Sequence, residues 1–119
     1  MAATPAADPN AKAVLKKDRL EIPGQIVFES DRSGSQQVYV MNADGSDQKR
    51  ISFFVGRAAT PEWSPRGDQI AFTYIAGDFH IAVMSPTGGS MRELTKGWQD
   101  EAPTWSPNGR IVQFFRNER

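Results

Sequence analysis

A stretch of sequence that occurs twice constrains this chain most. Residues 60–72 read TPEWSPRGDQIAF, and residues 102–114 read APTWSPNGRIVQF. Four pairs of landmarks repeat at a spacing of 42 or 43 residues: Trp63 and Trp105, Gly67 and Gly109, Phe72 and Phe114, and Met41 and Met84. A period of about 40–45 residues with four strands in each unit is typical of propeller blades. The repeat therefore predicts an all-β chain of four-stranded antiparallel blades.

The predicted strands follow from short alternating apolar runs between clusters of Gly, Pro, Asn, Asp and Ser. The turn sequences NADGS, SPTGG, SPRGD and SPNGR each supply a glycine where the chain reverses. Three, four and two strands in succession make a little over two blades, with the Pro-x-Trp-Ser strand innermost. We predict nine strands, at residues 25–30, 37–42, 48–52, 59–64, 69–74, 80–85, 91–95, 101–106 and 111–116.

The first 24 residues have a different character. They are rich in Ala, Pro, Asp and Lys, so we expect residues 1–24 to be a linker or disordered arm and residues 25–119 to form the partial propeller. No apolar segment among them has the length of the central region of a signal peptide. We therefore expect any export signal to lie outside this sequence.

Charge and composition argue against several classes of function. Lys and Arg together number 14 and Asp and Glu together number 14, so no net field favours nucleic acid or an anionic membrane. No apolar run reaches the ~18 residues that a membrane-spanning helix needs. The lack of cysteine excludes disulfides, thiolate metal sites and cysteine catalysis. We expect neither nucleic-acid binding nor direct membrane insertion.

The sequence contains none of the common catalytic or metal-binding motifs. No Gly-x-Ser-x-Gly elbow occurs, since GGSMR around Ser90 lacks the second glycine. His80 is the only histidine, and at the start of a predicted strand it fits a partly exposed structural residue better than a catalytic base. The glycines form no phosphate loop, and the acidic residues do not have calcium-loop spacing. We predict no enzyme activity, no cofactor and no metal site.

Three segments resemble the propeller repeats of the TolB family, the periplasmic component of the Tol-Pal cell-envelope system of Gram-negative bacteria. They are IVFESDRSGSQQVYVMNADGSDQKRIS, TPEWSPRGDQIAFT and APTWSPNGR, and the likeness covers about residues 24–116. The resemblance implies a six-bladed ring, a separate N-terminal domain, a periplasmic location and binding to the lipoprotein Pal and other Tol proteins, in support of outer-membrane integrity and cell division. The alternative is a propeller piece from a prolyl-oligopeptidase-type peptidase, where the disc gates substrate access.

The strand count bears on how these blades are used. Nine strands are not a multiple of four, so the sequence fits a fragment or truncated homologue better than a ring closed by several copies. A pair of blades alone leaves apolar faces and strand edges in water. We therefore expect self-association through the open blade edges.

Two predicted loops depart from the repeat, FFVGRAA at residues 53–59 and KGWQDE at residues 96–101. Loops on a rigid scaffold are where binding specificity is usually found. We expect both to open on one face of the disc near the central channel, the kind of face through which TolB-like propellers bind Pal, with Trp98 as the leading contact. The alternative is that the aromatic residues of these loops only fill blade junctions. The first loop also carries Phe53, and the candidate partner-binding residues are Phe54, Val55, Arg57, Trp98, Gln99, Asp100 and Glu101.

Aromatic residues that recur at the blade period are assigned to packing. Trp63 and Trp105 occupy the same blade position, so we expect them to pack between blades and not to anchor a partner. The same reasoning predicts that the recurring phenylalanines Phe28, Phe72 and Phe114 belong to the core.

Overall fold

The computed structural model describes residues 24–118, which form nine β-strands. All nine predicted strands are present, and their ends differ from the predicted ends by at most two residues. The predicted arm lies outside the described residues apart from Gly24, and its character stays a prediction. The strands are β1 (Gln25–Ser30), β2 (Gln37–Asn42), β3 (Lys49–Arg50), β4 (Arg57–Trp63), β5 (Ile70–Ala76), β6 (Asp78–Met84), β7 (Arg92–Glu93), β8 (Gln99–Trp105) and β9 (Val112–Asn117).

The strands fall into three blades. The first blade is the antiparallel sheet β1-β2-β3. The second blade is β4-β5-β6-β7, and the third consists of β8 paired with β9. A single parallel pair, Phe79 with Gln99, joins β6 to β8, so the second and third blades share one six-stranded sheet. The prediction of a little over two antiparallel blades is confirmed.

The Trp-Ser-Pro-x-Gly segments form the same turn twice. The Gly67 N–H donates to the Ser64 carbonyl at 2.9 Å, and the Gly109 N–H donates to the Ser106 carbonyl at 2.9 Å. Both glycines have a φ of 75°, a left-handed conformation that glycine adopts without steric cost. The turn leads the first strand of each blade into the second, as the sequence predicts.

A hydrophobic core joins the first and second blades. Val38 and Val40 of β2, with Ile51 just after β3, provide the surface of the first blade. Phe72 of β5 is fully buried against this surface, and burial of such a side chain stabilises the fold by about 1.5–3 kcal/mol. The buried residues of the second blade in this cluster are Ala58, Ile70, Phe72, Ala82 and Met84.

The first strands of the second and third blades each contain a bulge at the residue before proline, where the pairing register shifts. Thr60 and Ala102 have φ values of 48° and 58°, a conformation that is strained for residues other than glycine. The Thr60 N–H donates to Glu29 Oε1 at 2.6 Å, and the Ala102 N–H donates to Thr73 Oγ1 at 3.0 Å. Both acceptors directly follow a repeated phenylalanine of the preceding blade, Glu29 on β1 and Thr73 on β5. The same contact therefore joins successive blades.

The repeated tryptophans also connect neighbouring blades. Trp63 Nε1 donates to the Gln25 carbonyl at 3.1 Å, and Trp105 Nε1 donates to the Glu62 carbonyl at 3.1 Å. Each acceptor lies on the blade that precedes the tryptophan, and both indoles are half-buried. The prediction that these residues pack between blades is confirmed.

Phe114 departs from the core role predicted for the repeated phenylalanines. Phe72 is fully buried, and Phe28 is half-buried with its ring stacked on Tyr39 at 5.6 Å, but Phe114 is 37% exposed. In the second blade a third strand pairs with β5 and places Ala82 opposite Phe72. Within residues 24–118 no third strand pairs with β9. The core prediction for Phe114 is therefore wrong for the described part of the chain.

Candidate partner-binding site

The two loops that depart from the repeat lie at the same end of the blades. The first loop follows β3 and ends where Arg57 pairs with Ile75 of β5. The second loop follows β7 and ends where Gln99 pairs with Phe79 at the start of β6. Ile75 and Phe79 flank the tip of the β5–β6 hairpin, so this tip lies between the two loops. We name this end of the blades the loop face, formed by residues 53–56, 76–78 and 96–98.

The first loop presents two apolar side chains to solvent and turns one inward. Phe53 is 72% exposed, and Val55 is fully exposed. The ring of Phe54 stacks on Phe72 with centroids 5.6 Å apart and meets Tyr74 edge-on at 5.2 Å. Phe54 therefore fills the junction between the first two blades, as the packing alternative for these aromatic residues predicts.

The second loop contains Trp98, whose side chain is 40% exposed. The backbone of this residue is tied to the second blade, because the Trp98 carbonyl accepts the Phe79 N–H at 3.1 Å. At the next position, Gln99 Oε1 accepts a hydrogen bond from Asn117 Nδ2 at 3.0 Å. A fixed backbone thus carries an indole that is partly open to solvent.

Four of the candidate residues lie on strands and not on loops. β4 begins at Arg57 and β8 at Gln99, two residues before the predicted strand starts, because the antiparallel ladders with β5 and β9 extend that far. Arg57 is exposed, whereas Gln99 and Glu101 are half-buried. Asp100 is fully buried. The predicted loop placement of Arg57, Gln99 and Asp100 is wrong, whereas Glu101 is also the first residue of a predicted strand. Asp100 offers no exposed surface to a partner.

Asp100 is held by a cationic side chain and a backbone N–H. Arg116 of β9 donates to both carboxylate oxygens, from Nε at 2.7 Å and from Nη2 at 2.9 Å, and the Gly97 N–H donates to Oδ2 at 3.0 Å. The Arg116 hydrogen bonds hold the pKa of Asp100 well below its usual range, against the opposing effect of burial. A Cβ on Gly97 would overlap this carboxylate. Any larger residue at position 97 would therefore require the Asp100 carboxylate to shift from its hydrogen bonds.

Gln37 of β2 holds the first loop in a comparable way. Its side chain is fully buried. Gln37 Nε2 donates to the Phe54 carbonyl at 3.1 Å and to the Gly56 carbonyl at 2.9 Å. Gln37 Oε1 accepts the Ser52 hydroxyl at 2.6 Å, and this hydroxyl oxygen in turn accepts the Val38 N–H at 2.8 Å. Each polar atom of the buried amide thus has a partner.

Sequence reasoning missed both of these buried polar groups, because polar residues near strand ends resemble surface residues. One signal for the Asp100–Arg116 pair was available in the repeat. The equivalent cross-strand pair in the second blade is Ala58 with Tyr74, one blade period earlier. A charged pair that replaces an uncharged one marks a departure from the repeat at the base of the second loop.

Other chemistry is sparse in the part of the chain that the structure describes. Within residues 24–118, no group of three or more His, Asp or Glu side chains is placed to hold a metal ion. No helix in this range has the length and apolar character needed to cross a membrane. His80 Nδ1 lies 2.6 Å from Glu93 Oε1 on the neighbouring strand. The histidine is therefore engaged in a cross-strand pair at the edge of the second blade.

Comparison with known proteins places these features in a family. A family model described as the TolB beta propeller domain matches residues 22–119. The chain is 79% identical over 49 residues to Tol-Pal system protein TolB 1 of Novosphingobium aromaticivorans, which covers 41% of this chain and 11% of that protein. It is 66% identical over 48 residues to Tol-Pal system protein TolB of Zymomonas mobilis, which covers 40% of this chain and 10% of that protein.

Two solved structures show the same architecture. A protein assigned as TolB from Agrobacterium tumefaciens superposes with a TM-score of 0.68 at 27% identity, over 78% of this chain and 39% of that one. TolB from Acinetobacter baumannii superposes with a TM-score of 0.66 at 31% identity, over 74% of this chain and 23% of that one. The chain spans about a tenth of the length of these curated relatives and well under half of either solved chain.

Proposed function

Because the chain belongs to the TolB β-propeller domain family, we propose that it is a non-enzymatic binding scaffold of the Tol-Pal system. On this proposal the blades work in the periplasm, contact a Pal-like lipoprotein and other Tol proteins, and support outer-membrane integrity and cell division. The relatives described above carry the Tol-Pal name, which favours this function over a propeller that gates a peptidase.

The observation that carries the proposal is a set of exposed apolar side chains on the loop face. Phe53, Val55 and Trp98 are 72%, 105% and 40% exposed, and they lie in the two loops that depart from the repeat. Exposed apolar residues that cluster in non-repeated loops are typical of binding surfaces. Arg57, which is also exposed, adds a cation at the edge of this surface.

The proposed mechanism is rigid presentation of these side chains. The blade ladders fix both ends of each loop, so a partner meets a surface that is already ordered and loses little conformational entropy on binding. Trp98 has the properties of an anchor, since large aromatic residues dominate the energy of protein interfaces. Arg57 can pair with a carboxylate of the partner at the rim, where a charge mainly affects specificity and association rate.

The test is the affinity of the chain for the soluble domain of a Pal-like lipoprotein, measured by titration calorimetry. We expect Trp98→Ala to weaken binding by at least about tenfold, as loss of an interface anchor does, and Arg57→Ala to weaken it less. Ile111→Ala is the matched control, because Ile111 is an exposed apolar residue at the opposite end of the blades, beside the Ser106 turn. If Trp98→Ala and Arg57→Ala both stay within threefold of the control in a folded protein, the loop face is not the binding site.

A further inference from the structure

Each loop of the loop face is held by one buried polar side chain, and the two loops use different ones. In the first loop, Gln37 donates to the carbonyls of Phe54 and Gly56, which are the neighbours of Val55. In the second loop, Asp100 accepts the N–H of Gly97, which is the neighbour of Trp98. We call these two buried side chains the clamps of the loops. The first loop turns carbonyl oxygens toward Gln37, so its clamp must be a donor. The second loop turns an N–H toward Asp100, so its clamp must be an acceptor.

Neither clamp recurs at the equivalent position of the other junction. The position equivalent to Gln37 in the second blade is His80, which faces Glu93 and not the second loop. The position equivalent to Asp100 in the first strand of the second blade is Ala58, which is buried and apolar. In the described residues, β2 of the first blade supplies the clamp of the first junction, and β8 of the third blade supplies the clamp of the second junction.

A second hydroxyl-based contact supports the equivalence of the two junctions. Ser52 Oγ accepts the Val38 N–H at 2.8 Å, and Thr95 Oγ1 accepts the Ile81 N–H at 3.0 Å. These contacts lie at matching positions just after β3 and just after β7. The hydroxyl contact beside each loop is thus the same in both junctions, whereas the clamp differs in position and in chemistry.

We propose that Gln37 and Asp100 are positioning residues of the loop face, each of which fixes the backbone beside one exposed side chain, Val55 or Trp98. This inference rests on the proposed function for its consequence in binding. Neither positioning residue touches the partner, since both are fully buried. Their effect is to hold the loop in one conformation before the partner arrives, which lowers the entropy lost on binding.

The sharpest test of the second clamp is the double variant Asp100→Ala with Arg116→Tyr. It recreates the Ala58–Tyr74 pair of the second blade, so it leaves no unpaired buried charge and is designed to fold. Hydrogen exchange measured by NMR should show the Gly97 N–H exchanging at least about tenfold faster than in the wild-type protein, because its acceptor is gone. The Val38 N–H, which is bonded in the first junction, is the internal control and should not change.

The first clamp is tested with Gln37→Met, which keeps the length of the side chain and removes its polar atoms. The carbonyl ¹³C chemical shifts of Phe54 and Gly56 should change in this variant, because both oxygens lose their donor, and the exchange rate of the Gly97 amide should not change. If these carbonyl shifts, or the Gly97 exchange rate in the second-clamp variant, keep their wild-type values in folded proteins, the positioning role is wrong.

Binding of the Pal-like soluble domain to the same variants separates this inference from the proposed function. Faster exchange at Gly97 together with weaker binding supports both. Faster exchange with unchanged binding supports the role of Asp100 in fixing the loop and overturns its consequence for affinity, while the Trp98→Ala titration tests the binding surface itself. Unchanged exchange overturns the positioning role whatever the affinity.

Discussion

Replacing Gly97 with alanine tests the packing around Asp100, and Gly89→Ala is its matched control. A Cβ at position 97 would overlap the Asp100 carboxylate, whereas the nearest atom to a Cβ at position 89 is Ser85 Oγ at 3.6 Å, an ordinary contact. Neither glycine has a positive φ. The two substitutions make the same chemical change in the unfolded chain and differ in what the new methyl group meets in the folded protein.

The expected change in the free energy of unfolding follows from the hydrogen bonds of Asp100 that an alanine at position 97 would disturb. Gly89→Ala should raise the free energy of unfolding by about 0.4–1 kcal/mol, because alanine restricts the unfolded chain. Gly97→Ala has the same effect on the unfolded chain, but it displaces the carboxylate from the Gly97 N–H and disturbs the Arg116 pair. A hydrogen bond to a charged group contributes about 1.5–3 kcal/mol, so we expect Gly97→Ala to be less stable than Gly89→Ala by about 2–3 kcal/mol.

Urea unfolding followed by tryptophan fluorescence measures both free energies under one condition. A third variant, Gly97→Ala with Asp100→Ala, removes the overlapping carboxylate. The two changes should therefore be non-additive by at least about 1 kcal/mol in a double-mutant cycle. Equal stabilities of Gly97→Ala and Gly89→Ala, within about 0.5 kcal/mol, would refute the claim that a methyl group at position 97 displaces the Asp100 carboxylate from its hydrogen bonds.

Three further predictions concern the blade contacts, acid stability and self-association. Thr73→Val removes the acceptor of the Ala102 N–H and should lower the free energy of unfolding by about 1–3 kcal/mol in urea; a negligible loss would show that this bond is dispensable. The pKa of Asp100 is lowered in the folded protein, so its contribution to stability is present above the ordinary carboxyl pKa of about 4 and is lost as the pH falls below it. Urea midpoints should therefore fall more steeply in acid for the wild-type protein than for Asp100→Ala with Arg116→Tyr, and parallel profiles would contradict this. Phe115 is 71% exposed on β9, so Phe115→Ser should reduce self-association in light scattering; a wild-type chain that stays monomeric at high concentration would contradict the prediction.

The strands and turns could be predicted from the sequence because their causes are local. Alternating apolar residues and Pro-led turns that end on glycine act within a few residues, and the repeat supplies two copies of each signal. The strand starts at Arg57 and Gln99 were missed because they depend on pairing with β5 and β9, which extends each ladder by two residues. Such pairing is a property of the folded sheet and leaves no mark on the residues themselves.

The sequence indicated which two loops form the candidate site, but not the buried polar side chains that hold those loops. The two loops stood out because they depart from the repeat, and they lie together at one end of the blades. The burial of Asp100 depends on Arg116, which lies on another strand. Gln37 likewise takes its partners from a loop that follows the next strand. A polar residue whose partners are distant in sequence cannot be told from a surface residue by its own neighbours in the chain.

The bulge before each proline makes a blade a self-contained unit of duplication. The N–H donor at Thr60 or Ala102 and the side-chain acceptor at Glu29 or Thr73 lie on adjacent blades, at positions that the repeat preserves. A blade copied in tandem would bring a donor for the blade before it and an acceptor for the blade after it, so it would need no new interface. In the third blade the acceptor position holds Phe115, which has no side-chain atom to accept this bond. A blade placed after the third would therefore have to join it without this contact.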